Sequence, residues 1–239
     1  MGQGSATSLK GLAYTLSLFV DHGMTAWTSA EKRSFLNAGR AAERWLVEQA
    51  LRYGVKLQFH NGGNYGLQSP LRLRTLPPVE ADGMMEPSEL LGRALRTVGW
   101  DDPAQLHDAI LRQSGARTLH TVIYVNEPGR SFAGPCGSSR ASKRFLESCV
   151  VFKRSSAGRA EEPSTIAHEI LHLYGAWDMY ASAKFSPTQL ALAKRRFPND
   201  IMVDSHGGLM MADVGPLTAW RVGWAAKEAW FDTLRPKGQ

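Results

Sequence analysis

The chain has 239 residues, of which 43% are hydrophobic and 21% are charged, as in ordinary globular proteins. This composition excludes collagen-like, fibrous and wholly disordered proteins, and no apolar stretch is long enough for a membrane-spanning helix. The net charge of +6 would permit acidic partners, but the basic clusters at 140–144 and 194–196 are short and contain no aromatic residues, so we expect no nucleic acid binding.

The N-terminal region contains no recognisable export signal. Its apolar run, Gly11 to Val20, contains hydroxyl side chains, stops at Asp21 and lacks a cleavage site of small residues. We therefore expect a cytoplasmic monomer without membrane contact, although export by another route stays open. Cys136 and Cys149 are too few for a disulfide-rich scaffold or a thiolate zinc site, and both a disulfide between them and two free thiols stay open.

The first quarter of the chain predicts a strand, a long helix and a second strand. Residues 14–20 form a run of β-branched and aromatic residues typical of a strand. From Ser29, apolar residues recur at spacings of three and four until Gly54, which predicts an amphipathic helix. Residues 55–59 form the second strand. Two strands joined by a helix imply a parallel pair with a right-handed connection.

The middle of the chain predicts two short helices and three more strands. Residues 61–87 are rich in Gly, Pro and Asn and indicate a long surface excursion. Ser88 would cap a helix over 89–98, and Asp102-Pro103 would open another that ends near Gln113. The strands follow at 121–125, 131–133 and 149–153, with a turn at 127–129. The fold class is therefore mixed α/β.

A helix predicted from Thr165 to Tyr174 carries the strongest functional signal. His168 and His172 are four residues apart, so their imidazoles project from one face of the helix and can bind one metal ion. Glu169, beside the first histidine, could take a proton from a zinc-activated water.

Catalytic zinc generally has three protein ligands, and Asp178 is the expected third. Gly175 would let the chain leave the helix sharply enough to bring that carboxylate back to the metal. The alternative is a glutamate on the next helix, predicted over 187–197, but residues 181–196 contain neither Glu nor Asp. The last element is a segment over 217–234. These residues predict a single Zn²⁺ cofactor.

The segment His168 to Asp178, H-E-I-L-H-L-Y-G-A-W-D, resembles the metzincin signature H-E-x-x-H-x-x-G-x-x-H/D, in the version with Asp found in snapalysin-like bacterial proteases. The resemblance implies a zincin-like α/β fold with a mixed five-stranded sheet, long helices and an active-site helix. It also implies one catalytic domain over 1–239, with an upper subdomain of about 1–175 and a small lower subdomain of about 176–239.

Two further features are implied by the same resemblance. A Met-turn should lie beneath the metal, and Met202 is its best match, with Met210 and Met211 as weaker options. The edge strand that pairs with an extended peptide substrate would comprise Ser131, Phe132, Ala133 and Gly134. Some metzincins place a Tyr two residues after the Met, where this chain has Asp204.

The donor that stabilises the oxyanion is therefore left open by the sequence. Tyr174, Tyr180 and His206 are candidates for this role or for support of the ligands, against ordinary packing roles. The function predicted is a zinc-dependent endopeptidase that acts on proteins or peptides. Two alternatives stay open: an inactive zinc-stabilised binding or scaffold protein, against which Glu169 argues, and a metal hydrolase of non-peptide amides.

Overall fold

The structure, a computed structural model, describes residues 8–23, 26–78, 86–133, 146–180 and 185–236. Single strands and helices and short runs of each follow one another along the described residues, and the last element is a 3₁₀ turn at Ala229–Leu234. Their bounds are β1 Gly11–His22, α1 Ser29–Arg52, β2 Leu57–Tyr65, β3 Leu71–Leu73, α2 Pro87–Thr97, α3 Pro103–Ser114, β4 Thr118–Gly129, β5 Phe132–Ala133, β6 Glu147–Ser155, α4 Pro163–Leu173, α5 Pro187–Arg196 and α6 Pro216–Arg221.

The strands form one six-stranded sheet in the order β2-β1-β4-β6-β5, and β3 pairs with the end of β1. All pairings are parallel except that of β5, which runs antiparallel to β6 with Phe132 opposite Val150. This topology confirms the mixed α/β class and the antiparallel edge strand. The sheet has one strand more than expected, and the extra strand is β3.

Two predicted loops are partly strand. The expected excursion at 61–87 contains the end of β2 and all of β3. At Gly63 a Cβ would lie 2.7 Å from Cδ1 of Leu16, so this glycine permits a close approach of two strands rather than a turn. Residues 127–129, expected to form a turn, are instead the end of β4. A bulge between Val125 and Pro128 interrupts the pairing with β6, which resumes at Pro128.

Four helices, α1, α2, α3 and α5, begin at side-chain caps, which the sequence only partly revealed. Thr28 and Glu31 form a reciprocal capping box that starts α1. Helix α2 starts at Pro87 with Glu86 as its cap, so the prediction that Ser88 caps this helix was wrong. Proline is favoured at the first helical position because the nitrogen there has no partner within the helix and proline has no N–H to leave unpaired. Helix α2 therefore starts at Pro87, one residue before Ser88.

Each face of the sheet carries its own hydrophobic cluster. Phe19 of β1 lies in the cluster that includes α1, α4 and the C-terminal residues, whereas Leu18 faces the cluster formed with α2 and α3. This division follows from the alternation of side chains along a strand. Helix α4 is therefore held between the sheet, α1 and the C-terminal part of the chain, which supports its histidines from several directions.

No helix in the described part of the chain is long and apolar enough to cross a membrane. Cys149 is a buried free thiol on β6, and Cys136 lies outside the described residues. The division into two subdomains near Gly175, the monomeric state and the cellular location remain predictions.

Candidate metal centre

Helix α4 is buried along most of its length, and this burial fixes its rotation. Ile166 and Ile170 are 1% exposed and lie in the cluster shared with α1 and the sheet. His168 and His172 occupy another face, one turn apart, with their rings 4.6 Å apart between centroids. The helix ends at Leu173 with Tyr174 as its C-cap, and Gly175 follows with a φ of +98°, a conformation that residues with a Cβ rarely adopt.

Three potential ligand atoms converge beside α4. Oδ1 of Asp178 lies 3.1 Å from Nε2 of His168 and 2.9 Å from Nε2 of His172, and the two nitrogens are 3.1 Å apart. Around a tetrahedral zinc ion, donor atoms lie about 3.4 Å from one another. The observed triangle agrees with that spacing within a few tenths of an ångström, so these residues fit a zinc ion as three ligands.

Backbone carbonyls orient both imidazoles. Nδ1 of His168 donates to the carbonyl of Ile201 at 3.0 Å, and Nδ1 of His172 donates to the carbonyl of Ala176 at 3.0 Å. With the proton on Nδ1, the Nε2 lone pair of each ring is free to bind a metal. The hydrogen bonds thus select the ring orientation and tautomer that metal binding requires.

Asp178 reaches the histidines because the chain folds back after Gly175. Nε of Arg221, in α6, donates to the carbonyl of Gly175 at 2.7 Å, and its guanidinium lies 4.1 Å from the ring centre of Trp177. Burial lowers the pKa of Arg221 to about 10, so the group remains charged at neutral pH. Arg221 therefore holds the segment between the end of α4 and Asp178 at both of these points.

The charges of the ligands are strongly coupled in the metal-free protein. Burial alone would lower the pKa of His172, but the hydrogen bond and negative charge of Asp178 outweigh it and raise this pKa to about 9. Burial would raise the pKa of Asp178, but hydrogen bonds from both histidines hold it far below its usual range. A cation at this point, either a proton or a metal ion, is thus favoured by the surrounding residues.

Glu169 lies beside His168, His172 and Asp178 but takes no part in the contacts that join these three residues. It is 5% exposed, and its Oε2 has no hydrogen-bond partner among the described residues. Burial raises the pKa of this carboxyl, while the neighbouring histidines oppose the increase. A buried carboxylate oxygen without a partner is unfavourable, so this atom is available to a water molecule or a substrate proton.

The turn that contains Met202 lies against the same site. The amide of Val203 donates to the carbonyl of Asp200 at 2.8 Å, which closes a four-residue turn with Met202 in its third position. Met202 is fully buried, and its carbonyl accepts from the amide of Met179 at 2.7 Å. The weaker alternatives, Met210 and Met211, are 99% and 69% exposed, so neither occupies such a buried position.

The two candidate tyrosines lie in different surroundings. The hydroxyl of Tyr174 lies in the core, 3.0 Å from Oγ1 of Thr118 and 3.0 Å from Nδ1 of His120. The ring of Tyr180 is 6.1 Å from that of His168, and its hydroxyl contacts the carboxylate of Asp178. Of the two roles that the sequence left open for Tyr174, these contacts favour packing, while Tyr180 lies at the cluster of His168, His172 and Asp178.

The hydroxyl of Tyr180 also lies 3.5 Å from a guanidinium nitrogen of Arg130. Burial and the charge of Asp178 raise the pKa of Tyr180 to about 12, and its hydroxyl can donate at neutral pH, as that of any tyrosine can. His206 is exposed, and the contact described for its backbone is a hydrogen bond from its amide to Asp204. No described contact joins its imidazole to the three ligands.

The predicted edge strand lies at the edge of the sheet, although β5 comprises only Phe132 and Ala133. Ser131 precedes it, and its hydroxyl accepts from the amide of Phe152 on β6 at 3.2 Å. Gly134 lies outside the described residues. In the described part of the chain no strand pairs with the outer side of β5, and β5 contacts α4.

Three residues of this region, Asp200, Arg221 and Arg130, were not identified from the sequence. Asp200 accepts from the amide of Met202, two residues later, and Arg221 donates to the carbonyl of Gly175, 46 residues earlier. No spacing pattern in the sequence indicates either contact. Trp220, next to Arg221 in sequence, was the available hint, because arginine stacks on aromatic rings.

The structure has a counterpart among solved structures in metalloproteinase-II from Bacteroides fragilis, with a TM-score of 0.40 and 13% sequence identity. The match covers 94% of this chain and 55% of that protein, so this chain spans a little over half of its length. No protein-family model and no curated protein matches the chain. At this level of similarity, function has to be inferred from the chain's own residues.

Proposed function

We propose that the protein is a zinc-dependent endopeptidase whose metal ligands are His168, His172 and Asp178. The observation that carries this proposal is the convergence of two oriented imidazoles and one carboxylate within 3.1 Å of one another, beside the buried carboxylate of Glu169. Nitrogen and carboxylate ligands in this number are typical of catalytic zinc sites, which leave a fourth position for water or substrate.

A bound zinc ion would supply Lewis acidity, which activates water and polarises the scissile carbonyl. Glu169 then acts as the general base: its unpartnered oxygen takes a proton from the attacking water and later passes it to the leaving amine. The raised pKa of this carboxyl favours that transfer, since it holds the proton more readily than an exposed glutamate does.

Tyr180 is the candidate donor to the oxygen that gains negative charge during attack. Its hydroxyl is next to Asp178 and is protonated at neutral pH, as that of an ordinary tyrosine is, and the surroundings raise its pKa further. Arg130 adds a positive charge beside this hydroxyl. Donors aimed at developing charge are among the largest contributions to hydrolysis, worth about 10²- to 10³-fold each in kcat.

The extended substrate would pair with the outer edge of β5. An edge strand offers unpaired backbone groups, and a peptide that adds to it is held by main-chain hydrogen bonds regardless of most side chains. Because β5 contacts α4, a peptide bound there would pass close to the ligand cluster. Met202 would serve as the Met-turn residue, forming buried support under this site.

The test is cleavage of casein and of a mixed peptide library by the purified full chain, before and after metal removal with a chelator. Activity should disappear with the metal and return with added zinc. Glu169→Gln should keep one zinc ion per chain and lose about 10²- to 10⁴-fold in rate. Full activity in Glu169→Gln would refute the proposed base.

The two alternatives give different results in the same assay. A zinc-loaded chain that cleaves neither casein nor peptides would indicate a binding or scaffold protein. Hydrolysis of small amides without peptide cleavage would indicate a non-peptide amidohydrolase.

A further inference from the structure

We propose that Asp200 is a positioning residue for the metal centre, acting through the turn 200–203 with the help of α6. The inference rests on the proposed function, because it concerns how the zinc ligands are held. Asp200 contacts none of the three ligands directly, and its effect passes through the backbone of the residues that follow it.

The carboxylate of Asp200 is fully buried and accepts three hydrogen bonds. Oδ1 accepts from the amide of Met202 at 2.8 Å, and Oδ2 accepts from the amide of Gly215 at 3.0 Å and from Oγ1 of Thr218 at 2.8 Å. No salt bridge involves Asp200 among the described residues. A buried carboxylate held by neutral donors alone is costly, which points to a requirement for its geometry.

The turn that Asp200 holds delivers two consecutive carbonyls to the metal centre. The carbonyl of Ile201 accepts from Nδ1 of His168, and the carbonyl of Met202 accepts from the amide of Met179, the residue after Asp178. One backbone turn therefore orients the first ligand and supports the third. A small rotation of this turn would disturb both at once.

Helix α6 joins this turn to the other side of the site. Thr218 holds the carboxylate of Asp200, and Arg221, one turn further along α6, holds the carbonyl of Gly175. A Cβ at position 215 would lie 2.7 Å from Oδ2 of Asp200, which explains the glycine before α6. Helix α6 thus contacts both the segment at Gly175, which precedes Asp178, and the turn 200–203, which binds the backbone of Met179 after it.

Both carboxyl oxygens of Asp200 must accept hydrogen bonds in this arrangement. In Asp200→Asn the amide nitrogen must face either the amide of Met202 or the donors from Gly215 and Thr218, and two donors would then oppose each other. The substitution preserves shape and volume, so a loss of function would report the hydrogen bonds rather than packing.

The experiment measures zinc affinity by competition with a chromophoric chelator, and the visible spectrum of the Co²⁺-substituted full chain. Asp200→Asn should weaken zinc binding about 10- to 100-fold, as loss of outer-sphere support does, and should shift the Co²⁺ absorption bands. Thr218→Val, which removes one donor, should give a smaller loss, and Thr218→Ser should restore wild-type affinity and spectrum.

Leu106→Ala is the matched control, because Leu106 is buried in α3 on the opposite face of the sheet. It should lower Tm without changing the Co²⁺ spectrum.

Wild-type affinity and spectrum in Asp200→Asn and Thr218→Val would overturn the inference while leaving the proposed function intact. If Asp200→Asn does not fold, the comparison of Thr218→Val with Thr218→Ser tests the inference: equal zinc affinity and Co²⁺ spectra in these two variants would overturn it. Failure of the wild-type chain to bind zinc would instead refute the proposed function itself.

Discussion

Oδ1 of Asp178 lies 2.9 Å from Nε2 of His172, six residues earlier in the chain. This contact joins the end of an α-helix to the loop that follows it, and it completes the set of three donors with His168. The same contact raises the pKa of His172 to about 9 against the opposing effect of burial, which shows how strongly the site favours a cation. Asp178 is accordingly the first residue to test.

Asp178→Asn should weaken zinc binding by more than the roughly 100-fold that loss of an outer-sphere partner causes, since a ligand charge is removed. Metal analysis of purified protein and chelator competition measure the loss. Asp204→Asn is the control, because Asp204 is exposed and, among the residues that the structure describes, its carboxylate accepts from the amide of His206. Equal zinc content in Asp178→Asn and wild type would contradict the assignment of this ligand.

Gly175→Ala should both destabilise the protein and weaken zinc binding. The φ of +98° at this position disfavours any residue with a Cβ, and such strain costs about 1–3 kcal/mol. Gly158→Ala, at a φ of +79° in a turn with no atom within 4 Å of the added Cβ, should lower stability while keeping zinc affinity. Thermal unfolding with and without zinc separates the two effects, and identical zinc affinity in both variants would argue against a role for the bend at Gly175.

Tyr180→Phe should lower kcat by about 10²-fold with KM little changed, because the hydroxyl acts on charge that develops only during the reaction. Zinc content should stay at the wild-type level. Tyr174→Phe removes the other candidate hydroxyl, which bonds to Thr118 and His120 in the core. It should reduce the free energy of unfolding by about 1 kcal/mol and leave kcat unchanged. Equal kcat values in wild type and Tyr180→Phe would exclude Tyr180 as the oxyanion donor.

The buried imidazole of His120 should make the protein sensitive to acid. Burial lowers the pKa of His120 to about 3, below the value of about 6.5 for an exposed histidine. The unfolded chain thus binds a proton that the folded protein excludes. The resulting stability is fully present above pH 6.5 and is lost, at about 1.4 kcal/mol per pH unit, as the pH falls from 6.5 towards 3.

Urea unfolding of the zinc-free protein between pH 4 and pH 7 measures this dependence, and His120→Gln should flatten the slope even if it lowers stability overall. His60→Gln serves as the control, because His60 is exposed on β2. A wild-type slope in His120→Gln would show that another group is responsible for the loss of stability in acid.

The local features of the metal centre were predictable from the sequence. The spacing of His168 and His172 places both on one face of any helix, since an α-helix repeats every 3.6 residues. Gly175 marked the end of that helix because few other residues adopt its backbone conformation. The proximity of Asp178 follows from these two constraints over ten residues, and the mixed α/β class follows from the alternation of strand and helix patterns.

The support of that centre was decided by the tertiary structure alone. Asp200 meets Thr218 and Arg221 meets Gly175 across 18 and 46 residues, and β3 joins the sheet from a segment whose glycines indicated a loop. The choice between Tyr174 and Tyr180 likewise depends on which hydroxyl the core encloses. Contacts of this kind arise from the packing of distant elements, which neighbouring residues do not encode, whereas helix geometry and backbone conformation are properties of a few consecutive residues.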